Sequence, residues 1–148
     1  MLDKSLNVKA DYLVAAAIGV LYGWFQRKFW AIYAVDNSVN NWLVQNFGTN
    51  DVVGWYYLFS SIHDFVIHLL LGLALALVLV RVFGARNWRP ILVVVLASQI
   101  PMFWDAVWEN MGTVIRFWKF WTGLAIALAA IPVAYFIMGT VLPRKEAK

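Results

Sequence analysis

The sequence predicts an all-α integral membrane protein, a four-helix bundle with both termini on the cytoplasmic side. Three observations lead there. Of the 148 residues 63% are hydrophobic and only 14% charged, more apolar surface than a soluble domain of this size can bury. Four apolar segments each approach the ~20 residues that a helix rising 1.5 Å per residue needs to cross roughly 30 Å of hydrocarbon. Eight of the twelve Lys and Arg residues collect at what would then be one side of the membrane, the cytoplasmic side by the positive-inside rule.

The first span runs from Tyr12 to about Tyr33, after the polar stretch Met1 to Asp11. It reads as a signal anchor, because Gln26, Arg27 and Lys28 follow the apolar run directly where a cleaved signal peptide would carry small residues. Arg27 and Lys28 then lie within the span near its outer end. Long basic side chains reach the headgroups from such positions, and Trp30 and Tyr33 beyond them look like interface anchors. Ala15, Gly19 and Gly23 form a small-residue row in which Gly19 and Gly23 make a GxxxG pair, a contact face for another helix, another subunit or a second copy.

An outward segment, about 35–54, follows. It has no Lys or Arg, and Val39, Trp42, Leu43 and Phe47 share a helical face suited to lying on the membrane surface. The second span covers about Tyr57 to Val80. Arg81, Arg86 and Arg89 mark the inner loop after it, the third span covers Ile91 to about Asn110, and the fourth about Trp118 to Leu142, followed by Arg144, Lys145 and Lys148. With Lys4 and Lys9 before the first span, these are the eight inner cations. The chain is read as one transmembrane domain, 1–148, without a soluble appendage.

Chemistry concentrates in two of the spans. A charge inside a membrane helix costs a few kcal/mol or more unless it meets a partner or water, on the order of +2.5–3.5 kcal/mol on insertion scales, so such residues are functional by default. On the second span Asp64, His68, Gly72 and Ala76 form one i, i+4 row, which turns the two polar residues toward the protein, since small residues belong at close helix contacts; Leu75 is expected to face lipid. Counting outward from Arg81, Asp64 lies about one turn and His68 about two turns inside the outer boundary. On the third span Ser98, Met102, Asp105 and Glu109 share a face, with Pro101 one turn before Asp105. Proline removes a backbone donor and kinks a helix, which would splay the outer ends and open a pocket walled by Trp104 and Trp108. Arg116 and Lys119 count to the same outer level.

Three readings compete for this cluster. The first is a buried ion-pair network in which Asp64, Asp105 and Glu109 balance Arg116 and Lys119, with Arg27 as a further candidate partner. The second is a divalent-metal or hydrolytic site built on His68 with Asp64 and Asp105; His63 and His68, five residues apart, point about 140° from each other and do not share an ion. The third is a pocket for a lipid, quinone or hydrophobic partner, with tryptophan walls and His68, Asp64, Asp105 and Glu109 as polar hooks.

Other chemistries are excluded by pattern. The net charge of +4 comes from residues at predicted helix ends, with no basic stripe, so nucleic acid is not an expected partner. Without cysteine there are no disulfides, thiolate ligands or Cys nucleophile. The two histidines point apart on one helix and cannot hold a bis-histidine haem. GxSxG, HExxH, Walker and dinucleotide-binding patterns are missing from the sequence.

The run Asp64-Phe-Val-Ile-His68-Leu-Leu-Leu-Gly72, with Phe103-Trp104-Asp105-Ala-Val-Trp108-Glu109 downstream, resembles the Asp-x3-His helix and the acidic, Trp-flanked helix of VanZ-like small membrane proteins. The likeness covers under a third of the chain and does not extend to Tyr12 to Asn50. It implies a compact four-helix bundle with His68 and an acidic residue of the third span at a shared site, in a family linked to glycopeptide resistance. The expected location is a cell membrane, of the bacterial inner-membrane kind, crossed several times. The expected role is a binding or accessory subunit, in contact with membrane lipids, acting through its outward polar, Trp-rich end. No cofactor is expected on that reading. The alternative is a membrane-embedded metal-dependent hydrolase acting on a lipid-linked substrate.

Overall fold

A computed structural model of the chain describes residues 2–33, 37–47, 53–85, 87–104 and 118–142. Among the described residues every regular element is a helix: α1 (Leu2–Tyr33), α2 (Ser38–Phe47), α3 (Val53–Phe83), α4 (Trp88–Met102) and α5 (Trp118–Val141). Three of these, over Val8–Tyr33, Trp55–Phe83 and Phe120–Val141, are long and apolar enough to cross a membrane. Their outward stripes are what lipid requires: Leu13, Leu21 and Ile32 on α1 and Phe136 and Val141 on α5 are each more than 60% exposed, a display that water-facing helices avoid.

The helices overrun the apolar runs that predict them. α1 begins near the N-terminus and α3 is longer at both ends than 57–80, because helical hydrogen bonding continues where hydropathy stops. The largest difference is at α4. A span over 91–110 is predicted, whereas the described helix ends at Met102, directly after Pro101. Pro101 has no N–H to donate to the carbonyl four residues back. Phe103 still donates to the Gln99 carbonyl, at 3.0 Å, and forms a bend after which Trp104 is helical again; residues 105–110 of the predicted span lie outside the described residues. At 15 residues α4 is shorter than the ~20 a full crossing needs.

Packing follows small residues, as it must where lipid removes the hydrophobic drive between helices. The Ala15–Gly19–Gly23 row lies on α4. A Cβ on Gly19 would stand 2.6 Å from the Val94 carbonyl oxygen, and one on Gly23 would run into the Ser98 carbonyl. That row is thus occupied within the chain by α4. On α3, His68, Gly72, Ala76 and Leu79 are all buried, with Gly72 against Ala130 and Ala134 of α5. Leu75, expected to face lipid, is instead half-buried against the core.

The contacts also fix helix directions. Gly19 meets Val94 and Ala97 while Gly23 meets Ser98 and Pro101, so α1 and α4 run parallel. Gly72 meets Ala130 and Ala134 while Ala85, just after α3, meets Gly139, so α3 and α5 also run parallel. Trp30 meets His68 and Tyr33 meets His63, so α1 and α3 are antiparallel. Buried residues of all four helices, including Tyr22, Leu79, Ile91, Val94, Ile131 and Tyr135, form one core cluster.

At the end where α3 leads into α4, Gly84 takes φ +79°, a conformation glycine adopts without a Cβ penalty. Its carbonyl accepts a hydrogen bond from the Tyr135 hydroxyl, and Tyr135 meets Trp88 edge-on at 5.0 Å. At the opposite end α2 is capped by the Asn37 side chain, which accepts from the N–H groups of Val39 (3.0 Å) and Asn40 (3.1 Å). α2 buries Leu43 and brings Phe47 to within 5.2 Å of Phe59 on α3, while Val39 and Trp42 stay exposed.

Candidate functional site

The α2 end of the helices carries the chemistry. α1 passes Arg27 and Lys28 without interruption and reaches Tyr33 as one helix. Lys28 is exposed, its ammonium 4.9 Å from the ring centre of Trp24, and Arg27 is half-buried. The next turn of α1 delivers two aromatic rings to two imidazoles of α3. Trp30 stacks on His68 with centroids 4.9 Å apart and planes within 26°. Tyr33 lies nearly parallel to His63, and its hydroxyl is 2.9 Å from His63 Nε2. Residues 30 and 33 are three apart on one helix, 63 and 68 five apart on the other; because the helices are antiparallel, each ring finds its own partner.

The two histidines have different surroundings. His63 Nδ1 is 3.4 Å from Asp64 Oδ1, so Tyr33, His63 and Asp64 form a polar chain that is partly open to the outside. His68 is only 5% exposed. Its Nδ1 is 2.9 Å from the Asp64 backbone carbonyl. A carbonyl oxygen only accepts, so Nδ1 carries the proton and, in the neutral ring, Nε2 presents a lone pair. That Nε2 is buried and has no hydrogen-bond partner among the described residues; the same is true of Trp30 Nε1, Gln26 Oε1 and Gln99 Oε1. Buried polar atoms are nearly always paired, so two such atoms on stacked rings are an unusual feature of this end of the helices.

Beside that stack lies a pocket of about 120 Å³, open on one side and lined by Trp30, Asp64, His68, Met102, Phe103, Gly123 and Ile126. α1, α3 and α5 contribute directly, and α4 contributes its last residue, Met102, together with Phe103, which follows it. Gly123 leaves the room: a Cβ there would meet nothing within 4 Å.

Asp64, His68 and Met102, which the sequence places on inward faces, therefore converge, whereas the Asp64 carboxylate turns toward His63 and only its backbone oxygen serves His68. Trp104 is 48% exposed and outside the pocket lining. Asp105, Trp108, Glu109 and Arg116 lie outside the described residues, as does the side chain of Lys119 at the start of α5. Among the described residues no three His, Asp or Glu side chains come together as a metal site.

The sequence marks Trp30 as an interface anchor and Gln26 only as part of a polar flank. The signal was present in their spacing: Tyr22, Gln26 and Trp30 form an i, i+4 row beside the glycine row. A row adjacent to a helix-contact face is also buried, and Tyr22 and Gln26 are. Gln26 Nε2 donates to the Tyr22 hydroxyl at 3.2 Å within that row.

No family model, curated protein or solved structure matches this chain.

Proposed function

We propose that the chain is a small membrane binding or accessory protein whose outward end holds an apolar molecule in the pocket beside Trp30 and His68. The observation that carries this reading is an open, largely apolar pocket lined by Trp30 and His68, two stacked residues that each hold a buried nitrogen without a partner among the described residues. Ligand sites are concave and mostly apolar, with a few placed polar groups that fix orientation. This one has that composition, at a point where all four long helices converge.

The proposed setting is a four-span bundle with N-terminus and C-terminus inside. The antiparallel relation of α1 to α3 and the parallel pairs α1 with α4 and α3 with α5 support strict alternation. α4 carries an exposed stripe, Leu92, Leu96 and Ile100, as a lipid-facing helix would. The eight cations at one side give the orientation. The pocket then opens near the outer headgroups, where it meets molecules from the outer leaflet.

The test uses a photoactivatable alkyl probe in vesicles containing the purified protein. A saturable part of the labelling should map to Met102, Phe103 and the Gly123–Ile126 turn and be competed by unlabelled probe. Labelling confined to the outward stripes, and proportional to probe concentration throughout, would refute the reading.

A further inference from the structure

We infer that α2 and the first turns of α3 together form an interface platform, which seats in the headgroup layer of one leaflet through aromatic rings and without charge. The inference is independent of the pocket. It begins with the thickness that the exposed stripes demand. On α1 the exposed apolar stripe runs from Leu13 to Ile32, about 29 Å at 1.5 Å per residue. On α5 it runs from Trp121 to Val141, about 30 Å. Both match the roughly 30 Å of hydrocarbon in a bilayer. The same length on α3, measured from exposed Val82, ends at exposed Ile62.

α1 stops near that level, its last residue Tyr33 against His63. α3 continues outward to Val53, and α2 packs on this extension. Leu43 is buried, Phe47 meets Phe59, and the Tyr56 hydroxyl donates to Asn40 Oδ1 at 3.3 Å. Leu43 and Phe47, half of the face that the sequence assigns to the membrane surface, are thereby spent on α3. What remains is a composite surface. Trp42, Phe47, Phe59 and Trp55 form an unbroken row of rings, each 5.2–6.0 Å from the next. The two tryptophans that end the row are 55% and 56% exposed, and Val39 and Leu58 on the same two helices are exposed as well.

Depth names the occupant. Leu58 lies about 6 Å and Trp55 about 11 Å beyond the level of Ile62. The headgroup layer adds about 5–8 Å on each side of the hydrocarbon, so Leu58 falls inside it and Trp55 at its outer rim. Amphipathic rings collect at that depth, whereas apolar patches standing in water are avoided. Residues 37–47 and 53–62 include no Asp, Glu, Lys or Arg, so anionic headgroups have no advantage over zwitterionic ones.

The test places a nitroxide on single cysteines at Ile32, Val39 and Leu58 of the full-length protein in phosphatidylcholine vesicles. Its collisions with oxygen, which prefers hydrocarbon, are compared with those of a neutral nickel chelate, which stays in water. The oxygen-to-nickel ratio should be highest at Ile32. At Val39 and Leu58 it should fall several-fold below Ile32 and stay several-fold above that of free label in buffer, with or without added phosphatidylglycerol. Ratios at Val39 and Leu58 equal to free label would put the platform in water and overturn the inference. Shielding from both reagents would do the same, since a protein then covers the surface, a second copy if spin–spin broadening accompanies it. A ratio at Leu58 equal to that at Ile32 would refute the register, and a strong response to phosphatidylglycerol would refute the charge argument.

Discussion

Trp30 of α1 lies flat on His68 of α3, 4.9 Å between ring centres, and each ring holds one buried nitrogen that no described residue pairs with. The stack joins two antiparallel helices at the level where the pocket opens. It gives His68 a role that its position on the sequence only hinted at, and it gives Trp30 one that an interface anchor does not have.

Helix packing is the firmest ground for prediction. A Cβ at Gly23 meets the Ser98 carbonyl and Pro101, which are backbone and ring and cannot swing aside. Gly23→Ala should therefore destabilise the protein in detergent by about 1–3 kcal/mol, the usual cost of overpacking. At Gly72 the nearest atoms are 3.2 and 3.3 Å from a Cβ, so Gly72→Ala should be mild and Gly72→Leu severe. Leu70→Ala, at a position 57% exposed, should leave the melting temperature nearly unchanged. Equal tolerance at positions 23 and 70 would contradict the packing.

The inner turn offers a second check. The Tyr135 hydroxyl holds the Gly84 carbonyl, and its ring meets Trp88. Tyr135→Phe keeps the ring contact and removes only the hydrogen bond, so it should cost about 0.5–1.5 kcal/mol in thermal or chemical unfolding. Gly84→Ala should also destabilise, because φ +79° is strained for any residue with a Cβ.

Orientation is tested by labelling. The chain has no cysteine, so single cysteines report cleanly. A cysteine at Ser38, exposed at the start of α2, should react with an impermeant reagent in intact cells, and one at Arg86 should not. The reverse pattern would invert the protein in the membrane.

The all-helical, membrane-spanning character was legible because long apolar runs are what a helix needs to cross a membrane. In the row Asp64, His68, Gly72 and Ala76 the last three are buried, as their small neighbours require, whereas the Asp64 side chain stays 32% exposed beside His63. The outer part of α4 is harder: the helix breaks at Phe103, two residues after Pro101, Trp104 is helical again, and the predicted residues 105–110 lie outside the described residues. The pocket's aromatic wall is hidden in the sequence for a different reason. Tryptophan near a span boundary is ordinarily an anchor, and only the partner helix reveals that Trp30 is covered by His68. Leu75 shows the converse: a leucine looks the same in sequence whether it meets lipid or another leucine.

The acidic cluster beyond Phe103 gives a further prediction. If Asp105 balances Arg116 or Lys119 in a buried pair, Asp105→Asn should destabilise by about 3–5 kcal/mol, and neutralising the base as well should restore part of the loss. If Asp105 instead contributes to a solvated rim of the pocket, its melting temperature should stay unchanged while binding falls. A double-mutant cycle by thermal denaturation separates the two.

The most direct measurement on the central claim fills the pocket and asks whether binding stops. Gly123 faces open space in the pocket, so Gly123→Leu should occupy it without displacing a helix, and removing a helical glycine should add up to about 1 kcal/mol of stability. Saturable labelling by the photoactivatable alkyl probe should be lost in this variant while its melting temperature holds or rises. Undiminished saturable labelling of a stably folded Gly123→Leu protein would contradict the account.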